Sequence, residues 1–296
     1  MQLSVVIITF NEEANIARTL QSVQGLVADG KGEIIVVDSG STDRTVEIAK
    51  SLGAKVFVEE WKGYASQKNS AIDKATGDWI LSLDADEEVD AALSQLISET
   101  VTKWPQVDEY ARAKGYRPFD VHKNWQILHE LEDARSLPTD FYFDGFQLRR
   151  KNFFLGRWIK RGGFWPDPKL RLFRRGLGRV DERAVHEVIT VEGAVAGIHG
   201  GALIHHSYPT LSDYIDHMNR YSSLGAEMVA AKGKVRFSFA NIVVRPLFTF
   251  IYNYFFRLGF LDGREGLLLH QYHAVYVSWK YAKAWELSRN SKQMSS

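Results

Sequence analysis

The feature that most constrains this 296-residue chain is an alternation within its first hundred residues. Apolar, β-branched runs stand at 3–10 (LSVVIITF), 33–37 (EIIVV), 55–58 (KVFV) and 79–83 (WILSL). Between them, apolar residues recur at helical spacing: Ile16, Leu20 and Val23, then Val46, Ala49 and Leu52, then a stretch from Tyr64 to Ala75. A run with no polar alternation is a strand covered on both faces. Strands alternating with helices predict a mainly parallel α/β sheet flanked by helices, with right-handed crossovers. Asn11 stands where an N-cap belongs, with Glu12 and Glu13 in the expected first turn. Val89, Leu93, Leu96, Ile97 and Val101 mark a further helical face.

The rest of the chain divides by composition. Residues 102–145 are polar, carry Trp104-Pro105 and Leu137-Pro138, and lack a period; they read as an insertion with some helix, a candidate lid or acceptor-side loop. Residues 146–207 return to strand-like pieces (KLRLF, VHEVITV, AVAGIHG, ALIHHS), and from Leu211 the chain reads as helical. The expected organisation is a catalytic domain over 1–210 and a C-terminal helical region over 211–296.

Composition excludes several classes. The net charge is +1, so no bulk field recruits nucleic acid. Cysteine is absent, which removes disulfides, thiolate metal sites and a Cys nucleophile, and suits a reducing, cytoplasmic compartment. The opening MQLSVVIITFN lacks a basic flank and meets two acids, so it reads as a buried strand and not as a signal peptide. No apolar run approaches the ~18 residues a membrane-crossing helix needs.

In a parallel sheet with helices on both faces, ligands bind beyond the C-terminal strand ends. Asn11, Asp38, Asp84 and Asp86 all fall there. Asp84-Ala85-Asp86, directly after WILSL, has the form that holds a hard divalent cation such as Mg²⁺ or Mn²⁺ through carboxylate oxygens. Asp86 is the better candidate for direct contact; Asp84 is a candidate for the ribose or for the ion through water. The competing reading is a solvated acidic loop, since Glu87, Glu88 and Asp90 follow. Asp38 suits a ribose hydroxyl or pyrimidine N–H, against the alternative that Asp38 and Asp43 cap the next helix.

Taken together, VVIITFNEEANI, EIIVVDSGSTDRTVEIA, the helix carrying Gln67-Lys68-Asn69-Ala71, and GDWILSLDADEEV resemble the family 2 inverting glycosyltransferases of the GT-A (Rossmann-like) fold, in order and spacing. The later segments RRKNFFLGRWIKRGGFWPDPKLRLFRR, AVHE and LIHHSYPTL resemble a subgroup that builds the lipopolysaccharide inner core and includes β-1,4-glucosyltransferases. The resemblance implies a nucleotide pocket lined by Thr9, Phe10, Asn11 and Glu12. It places Asp38 on uracil or ribose, Lys68 near base or phosphate, and Asp84 and Asp86 in the metal motif. A late histidine on the metal is matched by His205. Many members carry their base in a Glu-Asp pair before a helix, and this chain has no such pair at the expected place; Val185-His186-Glu187 makes Glu187 the candidate base, with Asp181 and Glu182 as competitors. The competing reading of Glu187 is an ion pair with Arg171, Arg174 or Arg183.

The function so implied is transfer of a hexose, glucose first, from a UDP-sugar to a lipopolysaccharide-core or other envelope glycolipid. Trp158, Phe164, Trp165 and Pro166 among Arg157, Lys160 and Arg161 suit a phosphorylated saccharide acceptor, or form an ordinary aromatic core. The aromatic and basic stretch from Phe237 to Leu261 suits peripheral contact with the inner face of the cytoplasmic membrane, or packing on protein. Two rival classes are a nucleotidyltransferase acting on sugar phosphates, which releases pyrophosphate and favours a Gly-rich phosphate loop that residues 9–13 lack, and an inert nucleotide-sugar-binding scaffold.

Overall fold

The computed structural model describes residues 2–114, 143–181, 188–233 and 235–293. Two compact units make up the chain: Met1–Arg150 with Pro168–His205, and Lys151–Asp167 with His206–Ser296.

The first unit is built on the predicted runs. Strands β1 (Leu3–Thr9), β2 (Gly32–Asp38), β3 (Lys55–Val58) and β4 (Trp79–Asp84) lie in the order β3-β2-β1-β4, all parallel. Helices α1 (Ile16–Val27), α2 (Thr45–Ser51) and α3 (Tyr64–Asp73) make the crossovers. Successive strand residues point to opposite faces, and both faces are buried. Leu3, Val5 and Ile7 enter one core with Ile16, Leu20 and Val23; Val6, Ile35 and Val37 enter the other with Ala71 and Ile72.

Beyond β4 the sheet turns antiparallel. Strands β8 (Lys169–Arg174), β6 (Gly145–Phe154), β11 (Val195–Tyr208) and β5 (Glu87–Val89) follow in that order, with β7 (Arg157–Trp158) on β6, while β9 (Gly178–Val180) and β10 (Ile189–Val191) pair separately. A parallel half extended by antiparallel strands and flanked by helices is the GT-A arrangement that the resemblance implies. The two pieces AVAGIHG and ALIHHS form one strand, β11, despite Gly200-Gly201. Those glycines serve a close approach: a Cβ on Gly201 would stand 2.3 Å from the Leu93 nitrogen in helix α4 (Ala91–Lys114). Helix α4 continues past Val101; the remainder of the predicted insertion, 115–142, lies outside the described residues.

The second unit holds α5 (Leu211–Ala231), α6 (Arg245–Ile251) flanked by π-helical turns at Ala240–Val244 and Tyr252–Phe256, and the long α7 (Gly263–Gln293). Its core gathers Phe154, Ile159, Tyr214 and Leu269. Thr210 and Asp213 form a reciprocal capping box at the start of α5.

Glu33 fastens the upstream end of the parallel half. Its carboxylate accepts from Ser4 Oγ at 2.8 Å and Thr76 N at 2.8 Å, and pairs with Lys55 Nζ at 2.7 Å. Burial pushes this carboxyl up, but Lys55 and the hydroxyl and amide donors outweigh it and hold the pKa at about 2. A depressed carboxyl stabilises the fold above its unfolded value and loses that contribution as pH falls toward the folded value. Glu33→Gln is therefore expected to lower Tm at neutral pH and to show a flatter fall in Tm between about pH 4.5 and pH 2 than the parent. Thermal melts across that range check it; parallel curves would refute it.

Candidate active site

The register of β1 places the acidic strand ends. Thr9 lies opposite Asp38 on β2, and Ile8 opposite Asp84 on β4. Asp38 and Asp84 thus flank one strand, with Cα atoms about two strand spacings, roughly 10 Å, apart.

Asp38 is committed to its own turn. One carboxylate oxygen accepts from Gly40 N at 3.0 Å and Ser41 N at 2.8 Å, the other from Thr9 Oγ1 at 2.8 Å and Ser41 Oγ at 2.5 Å, and the residue is fully buried. These four internal donors hold the carboxylate, which shapes the turn from within. Asn11 is not an N-cap either, because α1 begins five residues later. It adopts a left-handed backbone, φ 55°, accepts from Thr42 N at 2.9 Å and donates its own N–H to Ser41 Oγ at 2.8 Å. Glu12 N donates to Thr45 Oγ1 at 2.7 Å and Glu13 N to Asp43 Oδ2 at 3.1 Å, so the loops after β1 and β2 are laced together. Asp43 has the local capping role expected of it, accepting from Thr45 N at 3.0 Å. Phe10 projects from this double loop with more than half its surface exposed.

The acidic run DADEEVD resolves into separate roles. Asp84 lies between two cations, with Lys68 Nζ at 2.8 Å on one oxygen and the Arg171 guanidinium on the other. Burial would raise the Asp84 carboxyl, yet Arg171 and Lys68 hold it well below the usual carboxylate range. Glu87 is fully buried and pairs with Arg171 at 2.8 Å and Arg150 at 3.1 Å, while accepting the Asp84 amide at 3.1 Å. Glu88 pairs with Arg18 at 2.6 Å. Asp90 accepts from Leu93 N at 2.9 Å at the start of α4. The solvated-loop reading is overturned, because each of these acids has its own partner. Both Asp84 oxygens thus face cations, Lys68 and Arg171, and this is where Lys68 sits.

Asp86 remains. Its Oδ2 stands 3.2 Å from His205 Nε2, and both side chains keep partial exposure, 24% and 17%. Burial opposes ionisation of Asp86, but His205 outweighs it and lowers the carboxyl pKa. The backbone carbonyl of Ala85 accepts from Thr19 Oγ1 at 2.6 Å, so α1 braces the turn. Glu12 is close enough to feel Asp86 and Asp84; burial first, then those like charges, raise its pKa. Two donor atoms at right angles, each about 2.1 Å from one ion, stand roughly 3 Å apart. The Asp86–His205 separation therefore fits adjacent ligands of Mg²⁺ or Mn²⁺, with phosphate and water oxygens to complete the shell. Among the described residues no group of three His, Cys, Asp or Glu converges as a metal site would require.

The sequence profile of glycosyl transferase family 2 matches residues 4–177. The chain belongs to that family. As a family 2 glycosyltransferase it is similar along nearly its whole length to a lipopolysaccharide core biosynthesis glycosyltransferase of Rhizobium meliloti, with 29% identity over 97% of this chain and 93% of that protein. It is 30% identical to an uncharacterised glycosyltransferase of Rickettsia typhi over 99% of this chain and 90% of the other. Among solved structures, glucosyl-3-phosphoglycerate synthase from Mycobacterium tuberculosis in complex with Mn²⁺, UDP-glucose and phosphoglyceric acid is 28% identical over 34% of this chain and 39% of that one, with a TM-score of 0.30. S. aureus TarS in complex with UDP-GlcNAc is 13% identical over 99% of this chain and 92% of that one, with a TM-score of 0.45.

Glu187, with Glu182 and His186, lies outside the described residues of this glycosyltransferase. Of the alternatives, Asp181 is described, and its amide donates to Val188 O at 3.1 Å. Arg171, weighed as a partner of Glu187, pairs with Asp84 and Glu87. Trp158, weighed both for a saccharide acceptor and as ordinary aromatic core, has Lys160 Nζ at 4.5 Å and Lys151 Nζ at 5.4 Å from its ring centre and Trp165 packed edge-on at 5.2 Å. Sequence reasoning missed Arg150, Arg171 and Glu87 as one network. The available signal was Arg171 between Leu170 and Leu172 in a strand, a charge at a buried position that must be paired.

Proposed function

We propose that this glycosyltransferase moves a hexose, glucose first, from a UDP-sugar to a lipopolysaccharide-core or other envelope glycolipid, with inversion and with a divalent cation. The observation that carries the reading is the Asp86–His205 pair at the end of β4. The family membership supports glycosyl transfer, and the resemblance of the loops after β1 and β2 supports a uridine nucleotide. The name of the Rhizobium relative, similar over 97% of this chain, supports the acceptor class.

In this reading Asp86 and His205 hold the ion. When bound, the ion offsets the charge of the departing diphosphate. Lys68, Arg171 and Arg150 surround two carboxylates, Asp84 and Glu87, so this group carries a surplus of positive charge beside the diphosphate. The turn fixed by Asp38 presents Asn11 and Phe10 to the nucleoside. A carboxylate of the 181–187 segment, Glu187 first, takes the acceptor hydroxyl proton as its oxygen attacks the anomeric carbon.

UDP-, GDP-, ADP- and TDP-sugars, each with and without Mn²⁺, test the donor. A ligand at a hundred times its Kd adds about 2.7 kcal/mol to the folded state. UDP-glucose with Mn²⁺ is expected to raise Tm by several degrees and to be hydrolysed slowly to UDP. Release of pyrophosphate from a nucleoside triphosphate and a sugar phosphate would establish the nucleotidyltransferase instead.

A further inference from the structure

Between Lys232 and Leu261 the chain carries five cations (Lys232, Lys234, Arg236, Arg245, Arg257) and no Asp or Glu, although 37 basic and 36 acidic residues balance over its length. Among the described residues, the same stretch holds the largest collection of exposed aromatic and aliphatic side chains. Soluble proteins seldom leave such a patch uncovered unless it binds something.

The backbone explains how the patch is made. π turns wind more slowly than α turns. With π turns on either side of α6, residues four apart stay on one line, so Val244, Phe248, Tyr252 and Phe256 form a single outward row with Leu247 and Phe255 beside it. Phe248 is 64% exposed and Phe256 75%. Phe248 stacks on Tyr252 with ring centres 6.0 Å apart, and Tyr252 on Phe256 at 6.4 Å, so the row is ordered without a covering partner. The opposite side is anchored: Pro246 is buried, Ser278 Oγ of α7 donates to Ile242 O at 2.8 Å, and Arg245 bonds Tyr281. Asp262, the acid that ends the run, is buried and accepts from Lys160 N at 3.2 Å and Arg161 N at 2.8 Å. It adds no exposed negative charge to the rim.

We propose that residues 236–261 dock flat on an anionic lipid bilayer, the Val244–Phe256 row entering the boundary of headgroups and acyl chains while Arg236 and Arg257 meet lipid phosphates. Aromatic side chains with a basic fringe match that interface in both polarity and charge. No described helix is long and apolar enough to cross a membrane, which leaves contact in the plane of the surface. A second copy of the chain is a poorer occupant. A two-fold contact sets a patch against itself, and this one would oppose cations to cations with no acid in the stretch to pair them.

Flotation of the full-length protein with phosphatidylcholine vesicles, with or without about 30% phosphatidylglycerol, tests this without any sugar donor. Anionic vesicles are expected to bind at least about tenfold more tightly than neutral ones. The triple variant Phe248→Ser/Tyr252→Ser/Phe256→Ser and the charge variant Arg236→Glu/Arg257→Glu should each lose at least about tenfold of that binding. Both alter exposed side chains, so circular dichroism and UDP-sugar hydrolysis in solution should match the parent. Equal binding to neutral and anionic vesicles, undiminished binding by the triple variant, or a dimer that the triple variant abolishes while vesicles are never bound would each overturn the proposal. Since binding is read apart from hydrolysis, it stands or falls separately from the donor assignment.

Discussion

Asp86→Ala is expected to cut transfer by on the order of a thousandfold or more at limiting Mn²⁺ while the protein stays folded. Asp84 is a poor substitute, because each of its oxygens already faces a cation, Lys68 or Arg171. His205 alone would be a single neutral ligand, and hard cations need carboxylate oxygen. The cost to the fold is small, since Asp86 is partly exposed and its partner is one histidine. Asp86→Asn, nearly isosteric, should fail as well, because it removes the charge and keeps the shape. Mn²⁺ titration followed by initial rates, beside circular dichroism, checks both variants. Full activity in Asp86→Ala with metal still required would move the ion elsewhere.

Arg171→Leu is expected to be the most damaging single change to stability. It leaves Glu87, fully buried, to Arg150 alone, and Asp84 to Lys68 alone. Removing one member of a buried ionic group costs about 3–5 kcal/mol, which for a unit of this size is a Tm fall on the order of 10 °C. The loss should depend on pH with a definite sign. In the parent, Arg171 keeps the Asp84 carboxyl well below its ordinary value. That contribution is complete at neutral pH and disappears as Asp84 protonates, so the gap between parent and variant should narrow in acid. Adding Glu87→Gln to Arg171→Leu should recover part of the loss, since one uncompensated charge is gone, and the double-mutant cycle then measures the coupling. A Tm within about 2 °C of the parent would show that the network is not what holds β4, β5 and β8 together.

The two variants separate roles that share one stretch of chain. Asp84, Asp86 and Glu87 are neighbours in sequence, and all three are acids. Local propensity cannot tell them apart. Partners arriving from Lys68, Arg171 and His205 do. Even the turn that carries them is set from outside, by the Thr19 hydroxyl on Ala85 O and by the short strand β5 lying against β11. The same holds for Asp38: its place at a strand end is plain from EIIVV, but its four internal donors include Thr9 from the neighbouring strand.

What the sequence determined was the parallel half of the sheet, its helices, and the position of the acids at the strand ends. Those follow from the spacing of apolar residues, which is local and is repeated four times. Four motifs in order were also enough to point to the family. The tertiary structure decided which acid meets a histidine, which lies between two cations and which is held by the donors of its own turn, because these outcomes depend on groups far apart in sequence. Arg171 reaches Asp84 across 87 positions. It also decided that 151–167 joins 206–296 in one unit, and that aromatic residues four apart share one exposed line. A backbone that departs from the 3.6-residue period moves side chains to faces that the period alone assigns elsewhere.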